Sequence, residues 1–237
     1  GSGTLVLGCG LSGAAAARLL LREGAAVTVW DEAEGRGADE AARRLGAGGA
    51  SLRRGRAAGW RRSDRFDLLV ASPGIPLSHP WIRGAAARRV PVIGELELAS
   101  RLLSLPLIAV TGTNGKSTVV TLIARMIRES GKECLLAGNI GYPLSAAALR
   151  PLKAAAAVVE VSSFQLETAV SFRPRIAVFL DFSPDHLDRY PSSAAYLRAK
   201  ARIFLNQRPP DIALVAPALR RRLSPFIPSG PRVLSWG

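Results

Sequence analysis

The chain has 237 residues, 48% of them hydrophobic and 21% charged, enough apolar material for one large core or two modest ones. That balance excludes a disordered tail, a collagen-like chain and a small disulfide scaffold, and no apolar run reaches the roughly 18–20 residues of a membrane span. The net charge of +14 comes from arginines spread along the whole chain without interleaved aromatics, so it reads as decoration of solvated faces, not as a nucleic-acid footprint.

Gly1-Ser2-Gly3 leads straight into the apolar run Thr4–Leu7, with no basic region or cleavage site, so no secretory signal is visible. The first residue is not Met, which points to a start that is missing or replaced. A glycine turn, Gly8-x-Gly10-x-x-Gly13, separates this strand from a helix over Ala14–Arg22, and a second strand, Ala26–Trp30, ends in Asp31. Strand, glycine turn, helix, strand and acid make the opening of a nucleotide-binding βαβ unit; alone, the glycines serve equally for close helix–strand packing. Asp39–Leu45 reads as a helix, and Gly46–Arg65 is too rich in Gly and Arg to assign. Asp67–Ala71 reads as a buried strand running into the turn Ser72-Pro73-Gly74-Ile75-Pro76. A helix over Trp81–Arg89, a strand over Val90–Ile93 and a helix over Glu95–Leu103 follow, with His79 in a loop.

A second unit begins at Leu107. The strand Leu107–Val110, the loop Thr111–Thr118 and an amphipathic helix Val119–Ser130 are followed by strands over Glu133–Ala137, Ala154–Val161 and Arg175–Leu180. A helix over Ser192–Leu205, a strand Ile212–Val215, a short helix Ala218–Arg222 and the start of a strand at Arg232–Leu234 complete the pattern. Strands alternating with helices predict an α/β protein with parallel sheets. The expected architecture is an N-terminal Rossmann-like nucleotide-binding domain over 1–93 and an incomplete P-loop-type parallel-sheet ATPase domain over 94–237, the chain being a fragment of a longer protein.

Gly112-Thr113-Asn114-Gly115-Lys116-Ser117-Thr118 stands between a strand and a helix, the context of a phosphate loop. Backbone N–H groups and the helix N-terminus would face the anion, Lys116 would reach the outer phosphates and Ser117 would ligate Mg²⁺. Val110 stands where the standard motif has its first glycine. Glu160 ends one strand, and Asp181, Asp185, His186 and Asp188 follow another, at the crevice edge of an open sheet. A lone Glu or His is more often structural, but the phosphate loop favours metal and phosphate chemistry for Glu160 and His186. Asp181 and Asp188 read equally well as helix caps or partners of Arg. Ser162 and Ser163 lack a nucleophile elbow, which excludes serine-hydrolase chemistry. Only four residues are Lys against 28 Arg, so each Lys raises the question of why Arg would not serve. Lys200, four residues after Tyr196, reads by spacing as solvated. Cys9 and Cys134 have no partners at metal spacing and read as free thiols in a reducing compartment.

The phosphate loop, Gly138-Asn139-Ile140-Gly141, Glu160-Val161-Ser162-Ser163-Phe164-Gln165-Leu166-Glu167 and Asp185-His186-Leu187-Asp188-Arg189-Tyr190 together resemble the ATP-dependent Mur ligases of peptidoglycan synthesis. The S-S-F-Q-L-E and N-G-K-S-T strings are most similar to the branch that joins D-glutamate to UDP-N-acetylmuramoyl-L-alanine. The resemblance implies an ADP-forming acid–amino-acid ligase working through an acyl phosphate, with ATP and Mg²⁺ as cofactors. ATP would lie on Gly112, Thr113, Asn114, Gly115, Lys116, Ser117 and Thr118. Leu11, Ser12, Asp31, Ser72, Pro73 and Gly74 would hold the uridine nucleotide, and Asn139 and Ser162 would position substrate. Lys116, Glu160, His186 and Lys200 would be catalytic, with Ser117 and Glu160 on one Mg²⁺ and His186 and a carbamylated Lys200 on a second. Asp181 departs from the family's Asn, and Ala33 from a basic or hydroxyl residue. The resemblance further implies a cytoplasmic monomer that neither enters membranes nor binds nucleic acid, and a missing C-terminal domain without which the fragment would not turn over. The alternatives are a related Mur or folylpolyglutamate-type amide ligase, a dehydrogenase built on the first glycine motif, and a basic nucleic-acid binder.

Overall fold

A computed structural model describes residues 3–32, 36–55, 60–61, 63–149 and 153–236. Two parallel sheets organise it. The first contains β1 (Gly3–Leu7), β2 (Ala26–Asp31), β3 (Ser51–Arg54), β4 (Leu68–Ala71) and β5 (Val92–Gly94) in the order β3-β2-β1-β4-β5. Its helices are α1 (Leu11–Arg22), α2 (Arg36–Ala47) and α3 (Pro80–Ala87). The order reverses direction at β1, and that switch point opens a crevice at the carboxyl ends of β1 and β4. α1 begins at Leu11, inside the glycine motif, because Gly13 lets the helix sit on the turn: a Cβ there would lie 1.8 Å from the Gly8 carbonyl oxygen. His79 caps α3, its Nδ1 accepting from the Trp81 N–H at 3.3 Å.

α4 (Glu95–Leu102) leads into the second sheet, formed by β6 (Leu107–Thr111), β7 (Cys134–Gly138), β8 (Ala156–Glu160), β9 (Ile176–Phe179), β10 (Ile212–Val215) and β11 (Arg232–Leu234). The strand order is β11-β10-β9-β6-β8-β7, all parallel. α5 (Lys116–Glu129), α6 (Leu144–Ala148), α7 (Ser163–Glu167), α8 (Ser193–Ala201) and α9 (Arg220–Leu223) connect and cover these strands. β6 lies between β8 and β9, so the loop after β6 faces the ends of both neighbours.

One apolar cluster runs through both halves, joining Leu19 of α1, Leu96 and Ala99 of α4, Leu144 and Ala147 of α6, and Val159 of β8. Each fully buried Leu in it contributes about 1.5–3 kcal/mol. Polar bonds cross the same junction. Arg22 Nη1 donates to the Ala148 carbonyl at 2.7 Å, and the Ser145 N–H donates to Glu95 Oε1. Glu97, fully buried, accepts from the backbone N–H groups of Val170, Ser171 and Phe172. No helix among the described residues is long and apolar enough to cross a membrane.

Candidate active site

The turn Gly112–Gly115 leaves β6 and enters α5 at Lys116. Gly115 takes φ 75°, a left-handed conformation that glycine adopts without penalty. Two N–H groups of the turn already hold an anion, the carboxylate of Asp181: Thr113 N–H donates to Oδ1 at 2.7 Å and Asn114 N–H at 2.9 Å. The Asn114 amide adds a bond to Oδ2 at 3.0 Å. Among the described residues Asp181 therefore neither caps a helix nor pairs with Arg; it braces the turn between β6 and α5. Thr113 is pinned from the other side, where its hydroxyl accepts from the Ser183 N–H at 3.1 Å. Lys116 Nζ donates to the Thr113 carbonyl at 2.9 Å, folded back over its own loop.

Glu160, at the end of β8, is 1% exposed, and its two oxygens have separate partners. Ser117 Oγ donates to Oε2 at 2.6 Å and Asn139 Nδ2 to Oε1 at 2.9 Å. The Asn139 N–H also donates to the Glu160 carbonyl at 2.9 Å, which fixes the Gly138–Gly141 turn against β8. Thr118 lies exposed on the first turn of α5.

Lys200 is not solvated, contrary to its spacing. It is 2% exposed, its Nζ donates to the Gly112 carbonyl at 2.6 Å, and it lies 4.7 Å from the centre of the Tyr196 ring. Burial, and then the nearby Lys116 cation, push its amine down to about 8 despite the opposing carboxylates of Asp181, Asp185 and Glu160. His186 is exposed, with a left-handed φ of 52°. Its ring is 4.8 Å from that of Phe164 and 5.7 Å from that of Tyr196. It thus joins the Lys200 neighbourhood through Tyr196, and no hydrogen bond among the described residues ties it to Glu160 or Lys200. Ser162 caps α7: its hydroxyl accepts from the Gln165 N–H at 3.2 Å and donates to Gln165 Oε1 at 3.2 Å, so one lone pair remains for a ligand.

In the first sheet, Leu11 and Ser12 open α1, with Leu11 81% exposed. Asp31 Oδ2 accepts from the Cys9 N–H, so the acid at the end of β2 holds the glycine turn. Ser72 Oγ is buried beside Gly8, without a hydrogen-bond partner among the described residues. Pro73 and Gly74 complete a turn closed by the Ile75 N–H on the Ser72 carbonyl at 3.0 Å. Ala33 lies outside the described residues. Cys9 and Cys134 are free and buried, and burial pushes both thiols up.

A hard cation fits one place on chemical grounds: Ser117 Oγ and Glu160 Oε2 are oxygen donors in contact at the mouth of the phosphate loop. Among the described residues no group of three or more His, Cys, Asp or Glu converges as a ready-made metal cage, so phosphate oxygens or water would complete the shell. Sequence reasoning gave no role to Arg189. Its Nη2 donates to Glu167 Oε2 at 2.6 Å and to the Ile75 carbonyl at 3.3 Å. Both Arg189 and Glu167 belong to strings that carried the family resemblance, but only three dimensions show them in contact.

Residues 110–221 match the profile of the Mur ligase middle domain, and residues 2–94 that of the Mur ligase MurD-like N-terminal domain. The UDP-N-acetylmuramoylalanine--D-glutamate ligase of Anaeromyxobacter dehalogenans is 49% identical over 217 residues, 90% of this chain and 46% of the relative. That of Desulfosudis oleivorans is 46% identical over 217 residues, 89% of this chain and 46% of the relative. The chain thus spans about half the length of the curated relatives it matches. Among solved structures, the UDP-N-acetylmuramate:L-alanyl-gamma-D-glutamyl-meso-diaminopimelate ligase from Neisseria meningitides shares the fold, with a TM-score of 0.63 at 17% identity over 98% of this chain and 77% of that one. The MurC ligase of Thermotoga maritima has a TM-score of 0.52 at 19% identity, covering 98% of this chain and 52% of its own.

Proposed function

The chain belongs to the Mur ligase family, and from that premise we propose that it carries the sugar-nucleotide and ATP sites of an ADP-forming ligase joining D-glutamate to UDP-N-acetylmuramoyl-L-alanine in peptidoglycan precursor synthesis. The observation that carries this reading is the convergence of Ser117, at the start of α5 and next to Lys116, with Glu160 and Asn139 at the ends of neighbouring strands.

The reaction must bring a carboxylate to a triphosphate, and anion repels anion. In the proposed step a carboxylate oxygen of the sugar nucleotide attacks the γ-phosphorus, the bond to the β,γ-bridging oxygen breaks, and ADP leaves. The D-glutamate amine then attacks the acyl carbon, phosphate departs, and the amine proton is lost. Gly112–Thr118 cradles the phosphates, with Lys116 exchanging the Thr113 carbonyl for a phosphate oxygen as charge passes to the leaving group. Ser117 and Glu160 would hold Mg²⁺, which when bound neutralises phosphate charge. Asn139 keeps the Glu160 carboxylate oriented. Ser162 offers its remaining lone pair to substrate.

Lys200 is suited to carbamylation. Its buried amine, pushed down to about 8, gives up its proton at mildly alkaline pH, and neutral nitrogen is the form that attacks CO₂, forming an N–C bond and releasing a proton. The product would be an anion beside Lys116, turning a repulsion between two cations into an attraction and, with His186, providing oxygen and nitrogen donors for a second Mg²⁺. In the first sheet the unpartnered Ser72 hydroxyl and the turn held by Asp31 would receive the uridine diphosphate, with Leu11, Ser12, Pro73 and Gly74 around it. Free thiols at Cys9 and Cys134 suit a reducing cytoplasm.

Calorimetric titration tests the reading. UDP-N-acetylmuramoyl-L-alanine and Mg·ATP should each bind, at separate sites, and Lys116→Ala should weaken only the second. Binding of NADH in place of the sugar nucleotide, or failure to bind either ligand, overturns it.

A further inference from the structure

The two proposed ligand loops belong to different sheets, and one side chain ties the first of them to the segment that carries His186. Arg189 follows His186 by three residues. Its Nη2 donates to the carbonyl of Ile75, the residue whose N–H closes the Ser72–Gly74 turn. The same guanidinium grips Glu167 through Nη2 at 2.6 Å and Nε at 3.3 Å. Its Cζ lies 4.3 Å from the centre of the Phe164 ring, and that ring is 4.8 Å from the ring of His186. Both ends of the ion pair are largely buried, Arg189 at 15% and Glu167 at 10% side-chain exposure. Another bond between the halves, Arg22 to the Ala148 carbonyl, joins α1 to the end of α6 and does not touch the ligand loops.

We propose that Arg189 is a positioning residue that couples the sugar-nucleotide loop to the ATP site. The inference rests on the ligase reading given above. Transfer needs the attacking oxygen and the γ-phosphorus about 3–3.5 Å apart and aligned, and a misplacement of about 1 Å can cost a hundredfold. Each reactant is carried by a different sheet, so something must fix the span between the loops. A guanidinium suits the task because its planar fork holds Glu167 through two nitrogens while a further N–H remains for the Ile75 carbonyl. Order imposed at Ser72–Gly74 by one ligand is thereby passed to the segment that carries His186, and the reverse.

The test is a pair of titrations on the 237-residue chain: UDP-N-acetylmuramoyl-L-alanine alone, and the same ligand with a saturating non-hydrolysable ATP analogue and Mg²⁺. The wild-type affinity should change by about fivefold or more between the two conditions, the lower range of ordinary site-to-site coupling. Arg189→Ala should bring that ratio to about one, while each ligand alone binds within about threefold of wild type. Arg189→Lys, which keeps the charge without the fork, should restore part of the coupling. Glu167→Gln, which leaves Arg189 in place but loosens its grip, should lower it. A wild type that binds both ligands without coupling, or an Arg189→Ala or Glu167→Gln variant with full coupling, overturns the inference and leaves the ligase reading standing. A wild type that binds neither ligand overturns the ligase reading, and the inference falls with it.

Discussion

The Ser117 hydroxyl donates to Glu160 Oε2 at 2.6 Å, joining the first turn of α5 to the end of β8 across 43 residues of sequence. The bond holds two oxygen donors where a hard cation would meet the outer phosphates. Glu160→Gln preserves the shape and removes the charge. Affinity for Mg·ATP should fall about ten- to a hundredfold, the scale of one charge-assisted contact, while affinity for ATP in EDTA should not fall, since an anion facing the phosphates has gone. Calorimetry in the two buffers separates the outcomes; equal losses in both would deny Glu160 a metal role.

Lys116→Ala removes the cation that folds back on Thr113. ATP affinity should drop about ten- to a hundredfold. Lys116→Arg should recover little, because the bulkier fork does not fit the space of a compact ammonium above its own loop. Sugar-nucleotide affinity, measured in parallel, should stay unchanged in both variants.

Lys200 should form a carbamate at mildly alkaline pH. With ¹³C-labelled bicarbonate at about pH 8, where half of the amines are neutral, a carbamate carbon resonance should appear in the wild-type spectrum and be absent from Lys200→Arg. Acidifying well below pH 8 should erase it, because the protonated amine cannot attack CO₂. A resonance that survives in Lys200→Arg would assign it to another amine.

Glu95 and Glu97, two residues apart on α4, should respond oppositely to neutralisation. Burial raises the Glu95 carboxyl, the bonds from Ser145 oppose it only in part, and Oε2 has no hydrogen-bond partner among the described residues. Burial also acts to raise Glu97, but bonds from Ser171, Val170 and Arg101 outweigh it and hold that carboxyl below its usual range. Glu95→Gln should therefore be neutral or stabilising at pH 7. Glu97→Ala should cost about 3–5 kcal/mol, the scale of a broken buried charge network. The stability that Glu97 contributes is complete above its unfolded value near 4.5 and is lost as pH falls through its lower folded value. Urea midpoints at pH 7 and pH 4 check both signs.

The parallel architecture was legible because apolar strands and glycine turns alternate with helices. The glycine turn between β6 and α5 was legible because seven consecutive residues spell it. β3 was not, since Ser51-Leu52-Arg53-Arg54 is an edge strand with a single apolar residue and no alternation to read. α6 and α7 are five residues each, too short for a helical period, although Ser162 and Gln165 spell the capping box that starts α7. Spacing alone misplaces Lys200, because it cannot report that Gly112, 88 residues earlier, offers a buried carbonyl. The grip of Arg189 on the Ile75 carbonyl was invisible for the same reason: contacts between distant segments leave no local pattern.

Asp181 has a further consequence for how ligands arrive. With its carboxylate seated on the Thr113 and Asn114 amides, the proposed cradle is already ordered by the fold itself. The cradle is preassembled but electrically plugged. On the proposed reading, an incoming phosphate would meet a resident competitor of like charge, so entry would be an exchange of one anion for another and would favour nucleotide already neutralised by a cation.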